Sequence, residues 1–363
     1  MPIEFRAHAP EWIPAIQEFN QRLGAGGAEA EMRLPESLDQ LLPDSELVLA
    51  TEGQTVRGGY ILRRQKFLLS GEPLSVAHYR LPLSEGIIEK KYTALGVQML
   101  RSALRTEPHL YALGMGAFDR PLPRMLQAMG WSLYGVPFYF QVVRPARFFR
   151  NIGPLRRTAL RRFPLHVAAY SGAAWLGLRA LAIARRVKPP AQPVEAIEVS
   201  EFSGWADEVW ERSKGAYALA GERSSAVLNR LYPPGGRFLR WKMVRGSEPV
   251  GWVLALDTQM RGHKQFGNLR VGTIADGMAA PQDAVAMVYA AQSELKRRGV
   301  DLTISNQAHA AWGLALRDAG FLTGPTNFIF AASPKLAAAL EPWEQRKTGM
   351  HLNRGDGDGP IHL

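Results

Sequence analysis

The chain has 363 residues, of which 46% are hydrophobic and 21% charged, a balance typical of a globular protein with room for two domains. It contains no cysteine, which excludes disulfides, thiolate nucleophiles and cysteine-ligated zinc. The net charge of +11 is local: no Asp or Glu lies between Arg120 and Val194, and residues 144–188 hold ten Arg and one Lys. We therefore expect one segment to meet an anionic surface or ligand.

The first half of the chain is predicted to alternate helices and strands. Apolar spacing and turn residues indicate, in order, a helix over 11–20, a hairpin of strands 45–51 and 56–69, a strand over 75–83, a helix from Val97, a strand over 109–114, a helix over 119–130 and a strand over 138–143. The basic loop before Val97 is the feature most suited to a ligand. A turn that opens a helix leaves backbone N–H groups unpaired, and these groups suit a pyrophosphate, with Lys90 and Lys91 adding positive charge.

The spacing Lys91-x-x-Ala94-x-Gly96 resembles the acyl-CoA pyrophosphate loop of the GNAT N-acyltransferase superfamily, whose pattern is Arg/Gln-x-x-Gly-x-Gly/Ala. Here Lys91 replaces Arg or Gln, and Ala94 replaces the first Gly. The order of helix, hairpin, strand–loop–helix and strand–helix–strand is also that of a GNAT domain. The resemblance implies that acetyl-CoA or another acyl-CoA binds the loop, formed by Lys90, Lys91, Tyr92, Thr93, Ala94, Leu95 and Gly96.

The resemblance also implies where a catalytic base would lie, because GNAT enzymes usually place a carboxylate near the strand that precedes the loop. Glu85 is that carboxylate, and His78 on the strand is the second candidate. A solvated carboxylate and a structural histidine are the alternatives. Many GNAT enzymes also have a tyrosine as general acid four residues before the Gly of a Gly-Phe ending. In this chain those positions are Leu126 and Leu316.

The second half of the chain repeats the plan of the first. Strands are predicted over 238–244, 250–256, 269–278, 300–305 and 327–332, with helices over 205–210, 282–298 and 308–320. Gly130-Trp131 and Gly320-Phe321 recur at the same point of each half. We predict an α/β protein of two tandem GNAT-like domains, at 1–143 and 193–340, with a basic helical connector at 144–192 and a tail at 341–363. Tandem GNAT domains also resemble the Fem-type peptidyltransferases.

The loop of the second domain that corresponds to residues 90–96 has Asp283 and no basic residue, so we expect no CoA there. Substrate-binding groups are predicted at strand ends, at Asp276, Ser305, Asn306 and Gln307, the alternative being side chains that bond only their own loops. In the tail, Asp356 and Asp358 could hold a divalent cation, but the other ligands of a calcium loop are missing. We expect no metal site, and a tail that is flexible or folds over a domain.

The connector contains an apolar stretch at residues 163–184, in which Arg179 is the one Arg or Lys. It could span a bilayer, lie in the membrane interface or pack on the protein itself. We predict an interfacial helix, because arginines at both ends, including Arg156, Arg157, Arg161 and Arg162, would meet anionic head groups. The first residues lack the features of a signal peptide, which predicts a cytoplasmic protein, peripheral on the inner face of the membrane.

These features predict an enzyme, an N-acyltransferase that transfers an acyl group, most simply acetyl, from acyl-CoA to an amine. The acceptor would be a small-molecule or lipid-linked amine of a membrane-linked, envelope or polysaccharide precursor. Two alternatives stay open: a Fem-like aminoacyl transferase that uses aminoacyl-tRNA, and a non-catalytic adaptor that retains the fold. Only the first of these alternatives needs a nucleic acid, and it predicts salt-dependent RNA binding.

Overall fold

The computed structural model describes residues 2–151 and 189–357. The predicted interfacial helix at 163–184, the arginines at its two ends and Asp358 lie outside these residues. Within the described ranges, no helix is both long enough and apolar enough to cross a membrane.

The predicted strands and helices occur in the predicted order, together with further short elements that the sequence did not indicate. The strands are β1 (Glu4–Ala7), β2 (Ser45–Glu52), β3 (Thr55–Leu69), β4 (Glu72–Ser84), β5 (Leu110–Leu113), β6 (Ser132–Gly135), β7 (Phe138–Val142), β8 (Glu195–Glu198), β9 (Leu219–Gly221), β10 (Phe238–Arg245), β11 (Glu248–Gln259), β12 (Arg270–Ala279), β13 (Leu302–Asn306), β14 (Leu322–Gly324), β15 (Ile329–Ala332) and β16 (Met350–His351). The helices are α1 (Ile13–Ala25), α2 (Leu95–Thr106), α3 (Pro121–Ala128), α4 (Pro145–Asn151), α5 (Gly204–Ser213), α6 (Ser225–Leu231), α7 (Ala284–Arg297), α8 (Ala310–Asp318), α9 (Pro334–Ala339) and α10 (Trp343–Arg346).

The first of two compact units comprises residues 2–67, 72–135 and 329–344. Its sheet has the order β1-β2-β3-β4-β5-β15-β6, and β4 and β5 run parallel. Alternation along β2 separates two apolar layers, because successive side chains of a strand point to opposite faces. Leu47 and Leu49 pack against α1, whereas Ala50 packs in the layer that contains Leu100 of α2. Both faces of this sheet are therefore covered by helices.

The second unit comprises residues 68–71, 136–151, 189–328 and 345–357. Its sheet has the order β14-β7-β13-β12-β11-β10-β8, and β12 and β13 run parallel. Its main apolar core is rich in tryptophan, with Trp241, Trp252 and Trp312 all buried. The C-terminal segment belongs to this unit, because β16 pairs in parallel with β9 and Leu352 is fully buried.

The main strand order of each sheet contains one strand from the other half of the sequence. The aromatic strand β7, predicted to end the first domain, lies between β13 and β14. The apolar strand β15, predicted to end the second, lies between β5 and β6. Both strands occur at the predicted residues. However, β7 lies in the sheet of the second unit and β15 in that of the first, the reverse of the prediction. The α/β class and the two-sheet architecture agree with the prediction.

Candidate functional site

In the first unit, strand β4 separates from its parallel neighbour just before the predicted ligand loop. The two strands are paired at Ala77↔Leu110 and His78↔Tyr111, after which β5 ends at Leu113 and β4 continues to Ser84. Leu81 interrupts the regular strand with a positive φ of 43°, a conformation that costs a non-glycine residue on the order of 1 kcal/mol. The end of β4 thus leads away from β5 and into the loop.

The loop consists of two short 3-10 turns, Glu85–Ile87 and Lys90–Tyr92, followed by α2. A Cβ atom at Gly86 would lie 2.5 Å from the carbonyl oxygen of Tyr92, so the two turns can contact each other only because residue 86 is glycine. Tyr92 and Leu95 are buried and anchor the loop.

The other predicted ligand-binding residues of the loop face solvent. Lys90, Lys91, Thr93 and Ala94 are exposed, and no side chain caps the N-terminus of α2. Beside Gly96 the space is open, because an added Cβ would meet only Met125 Sδ, at 3.7 Å. The uncapped amides at the start of α2 therefore follow a turn with two exposed lysines, an arrangement that favours a phosphate.

Glu85, the first predicted base, is buried between two arginines. It is 2% exposed, Arg22 Nε donates to its Oε1 at 2.7 Å, and Arg57 donates to its Oε2 at 2.8 Å. Both oxygens are therefore held by positive charges, which is the geometry of a structural ion pair. The sequence placed this carboxylate at the loop mouth, but it could not show that residues 22 and 57 would meet it.

His78, the second predicted base, is 1% exposed and its ring stacks on Tyr111 with centroids 4.5 Å apart. Its Nδ1 has no hydrogen-bond partner among the described residues. Burial, together with the positive charges of Arg80 and Arg63, lowers the pKa of His78 well below its usual range. The imidazole is therefore neutral at physiological pH.

In the second unit, Asp276 lies at the centre of a buried polar cluster. Arg223 Nε and the Tyr232 hydroxyl donate to its Oδ2 at 2.9 and 2.8 Å, and Asn353 Nδ2 donates to its Oδ1 at 2.7 Å. A second carboxylate, Asp356, accepts from Arg223 at 2.6 Å. Three residues distant in the sequence thus satisfy the predicted substrate-binding carboxylate.

Of the other three predicted substrate-binding residues, Ser305 and Asn306 end β13 and Gln307 follows it. Ser305 donates to the Ile274 carbonyl at 3.0 Å, and Gln307 accepts from the amide of His309 at 3.3 Å. Ser305, Gln307 and Asp276 line one small cavity, of about 10 Å³, which has room for about one water molecule. Asn306 instead directs its amide nitrogen to the carbonyl of Pro137 at 3.5 Å.

The charges of this cluster modify one another. Burial by itself lowers the pKa of Arg223, but the negative charges of Asp276 and Asp356 outweigh it and the net shift is upward. Burial raises the pKa of Asp356 despite the opposing effect of Arg223. Burial and the charge of Asp276 raise the pKa of Tyr232 well above its usual range. The guanidinium is thus firmly charged and the phenol firmly neutral.

The C-terminal segment also brings an aromatic cluster together that the sequence did not indicate. The ring of Tyr217 contacts His309 and His351, with centroids 4.9 and 4.7 Å away, and Trp312 Nε1 donates to the Tyr217 hydroxyl at 3.0 Å. Burial lowers the pKa of each histidine to about 4. No local signal in the sequence indicates His351, because its ring partners Tyr217 and Trp312 lie well before it in the chain.

The second-unit loop that corresponds to residues 90–96 contains the short turn Pro281–Asp283 before α7. Asp283 forms an ion pair of 2.7 Å with Arg245. In the described part of the chain, no group of three or more His, Asp or Glu side chains is placed to hold a metal ion. Asp356 is bound to Arg223 and to the amide of Asn353, so the tail folds on the second unit, as one of the two predicted outcomes.

No protein-family model matches the chain, and no curated protein matches its sequence. Solved structures do resemble it. N-myristoyltransferase of Saccharomyces cerevisiae, solved with bound myristoyl-CoA and inhibitors, is 10% identical, with a TM-score of 0.54 over 92% of this chain and 80% of that chain.

Two further structures are similar. A protein of Enterococcus faecalis, described as a probable N-acyltransferase, is 11% identical, with a TM-score of 0.53 over 94% of this chain and 74% of that chain. A GCN5-related N-acetyltransferase of Anabaena variabilis is 12% identical, with a TM-score of 0.53 over 91% of this chain and 72% of that chain. At such identities the likeness concerns the fold, which is the α/β fold of GNAT N-acyltransferases.

Proposed function

We propose that the chain is an N-acyltransferase that binds acyl-CoA through residues 90–96 and transfers the acyl group to an amine. The observation that carries this proposal is the uncapped N-terminus of α2, with exposed Lys90 and Lys91, placed directly after β4 has separated from β5. Backbone amides and lysines together suit a pyrophosphate better than an uncharged turn would. The fold shared with two acyltransferases and one probable N-acyltransferase supports the same activity.

The reaction requires the amine nitrogen to attack the thioester carbon, after which the carbon–sulfur bond breaks. The amine loses its proton to a base, and the CoA thiolate leaves and takes up a proton. On the protein side, the loop would hold the pyrophosphate. The part of β4 beyond His78 has no partner in β5, so its backbone could bond the amide groups of the pantetheine arm as an added strand would.

The geometry favours neither predicted residue as the catalytic base. Both oxygens of Glu85 are held by arginines, and burial together with nearby positive charges disfavours protonation of His78. We propose instead that the bound amine loses its proton to water. The protein would then contribute mainly by binding and orienting the two substrates. The predicted substrate-binding residues Asp276, Ser305 and Gln307 are then part of the scaffold of the second unit.

The acceptor and its location rest on the charge pattern of the sequence. We propose an amine on a membrane-linked or envelope precursor, reached by peripheral binding of residues 144–188 to anionic lipid. Each arginine near such a surface contributes about 1 kcal/mol, less at high salt. Co-sedimentation with vesicles of phosphatidylcholine, with and without phosphatidylserine, tests this. Binding should need phosphatidylserine, weaken with salt and fall when Arg156, Arg157, Arg161 and Arg162 become Ser. Equal binding to both vesicles would contradict it.

Calorimetric titration tests the acyl-CoA site. Because the yeast neighbour holds myristoyl-CoA, both acetyl-CoA and myristoyl-CoA are suitable probes. The double variant Lys90→Glu/Lys91→Glu should weaken binding at least tenfold, since each reversed charge costs about 1 kcal/mol or more near a phosphate. Its charge-matched control is Lys264→Glu/Lys335→Glu, which changes two exposed lysines outside the loop. Equal affinity in the two double variants would remove residues 90–96 from the proposal.

A further inference from the structure

We infer that Arg57 is the positioning residue of the acyl-CoA loop, and that Glu85 serves as its anchor. The inference rests on the proposed function and assigns Glu85 a role that differs from proton transfer. Arg57 lies on β3, outside the loop, and it contacts both ends of the loop through two carboxylates and one aromatic ring.

The first link fixes the start of the loop. Arg57 donates to Glu85 at 2.8 Å, and Glu85 is the residue that follows β4. Arg22 of α1 holds the other oxygen of Glu85 and also donates to the carbonyl of Val56 at 2.7 Å. The first turn of the loop is therefore tied to two different elements by charged hydrogen bonds within a buried site.

The second link fixes the part of the loop next to α2. Arg57 Nε donates to Glu52 at 3.1 Å, and the hydroxyl of Tyr92 donates to the same carboxylate oxygen at 2.8 Å. The guanidinium also lies over the ring of Tyr92, 4.8 Å from its centroid. Lys91 Nζ is 3.9 Å from Glu52, so a lysine that faces the ligand is held by the same network.

These contacts make Arg57 the residue common to both links, and only a planar, forked cation can serve two carboxylates and a ring at once. The hydrogen bond from Tyr92 is the main cause that lowers the pKa of Glu52, so this carboxylate stays ionised. With the loop fixed before the ligand arrives, less conformational entropy is lost when the ligand binds. The amides of α2 are then already in place.

Two variants separate positioning from simple charge. Glu85→Gln removes a negative charge near an anionic ligand, so electrostatics alone predicts tighter binding. Positioning predicts weaker binding of acetyl-CoA or myristoyl-CoA, by about tenfold. Arg57→Lys keeps the charge but cannot make the forked contacts, and it should weaken binding to a similar extent. Hydrogen exchange should accelerate at the amides of residues 85–96 in both variants.

The matched controls come from a second arginine on β3. Arg64 bonds Glu46 at 2.9 Å and Glu107 at 2.5 Å, away from the loop. Glu46→Gln and Arg64→Lys should leave the affinity and the exchange of residues 85–96 unchanged. If the wild type binds acyl-CoA and Glu85→Gln and Arg57→Lys bind it as tightly as the wild type, the inference is overturned and the proposed function stands. If the wild type binds neither thioester, the proposed function is overturned and the inference with it. Should Glu85→Gln not fold, Arg57→Lys decides.

Discussion

The amide of Leu110 donates a 3.1 Å hydrogen bond to the hydroxyl of Ser333, although 223 positions of sequence separate the two residues. Ser333 in turn donates to the carbonyl of Pro108 at 2.8 Å and is fully buried. These bonds fix the strand β15 beside β5. On its other side β15 pairs with β6, which completes the sheet. The first unit therefore depends on a strand from near the C-terminus.

The strand exchange predicts which fragment of the chain can fold. Residues 1–143 contain β7 but lack β15, whose small side chains Ala331 and Ala332 are fully buried between β5 and β6. The bulky aromatic residues of β7 would overpack that space. In contrast, Gly135 pairs with Ile329, so an Asn-Gly turn that joins them forms a hairpin.

We expect the joined fragment, 1–135 linked to 329–344, to unfold cooperatively and to give dispersed amide signals. Residues 1–143 alone should show neither property. Circular dichroism melts and proton–nitrogen correlation spectra measure both. A fragment 1–143 that melts at the same temperature as the joined fragment would contradict the role given to β15.

The local elements could be predicted from the sequence, because each depends on periodicity and turn residues close in the chain. The helix predicted from Val97, for example, is present as α2, which begins two residues earlier at Leu95. The sequence could not show which sheet contains β7, because an aromatic strand of five residues fits either sheet by its pattern alone. The partners of Glu85 were missed for a related reason: Arg22 and Arg57 are ordinary surface-type residues until the fold brings them to one buried carboxylate.

Two glycines of the loop should respond differently to substitution. Gly96→Val places a branched side chain where the phosphate is expected, yet the nearest atom to its Cβ is Met125 Sδ at 3.7 Å. We expect a loss of acyl-CoA affinity of tenfold or more, with a change in unfolding free energy below about 1 kcal/mol.

Gly86→Ala should instead act through the structure of the loop. The added Cβ would lie 2.5 Å from the carbonyl of Tyr92, so the turns must shift. We expect a loss of stability of about 1–3 kcal/mol together with weaker binding. Urea unfolding and calorimetry on both variants make the comparison. Gly96→Val with intact affinity would show that the phosphate lies elsewhere.

The buried ion-pair cluster of the second unit should be sensitive to the loss of its cation. Arg223→Met leaves Asp276 and Asp356 without the charge that both carboxylates bond. We expect a loss of about 3–5 kcal/mol in unfolding free energy, because an unpaired buried charge is costly. The control is Arg212→Met, whose partner Glu248 is exposed and which should cost at most about 1 kcal/mol. Urea unfolding at pH 7.5 measures the loss of unfolding free energy in each variant. Equal losses in the two variants would contradict the structural role of the cluster.

Stability should fall in mild acid because two buried histidines resist protonation. His351 is fully buried beside Tyr217 and Trp312, and neither ring nitrogen makes a hydrogen bond of good geometry to another described residue. Burial first, and then the charge of Arg223, lowers its pKa to about 4, although Asp276 acts in the opposite direction. His309 has a pKa of about 4 for the same main reason. An unfolded histidine has a pKa of about 6.5.

The sign of the effect follows from these values. Between pH 6.5 and 4 the unfolded state binds more protons than the folded state, so a falling pH favours unfolding. At pH 5 each histidine costs about 2 kcal/mol relative to pH 7.5. His351→Phe keeps an aromatic ring in the aromatic cluster and removes the group that titrates. Urea unfolding at pH 7.5 and pH 5 should therefore show a loss that is about 2 kcal/mol smaller in His351→Phe than in the wild type. A loss of the same size in both proteins would mean that His351 does not resist protonation in the folded state.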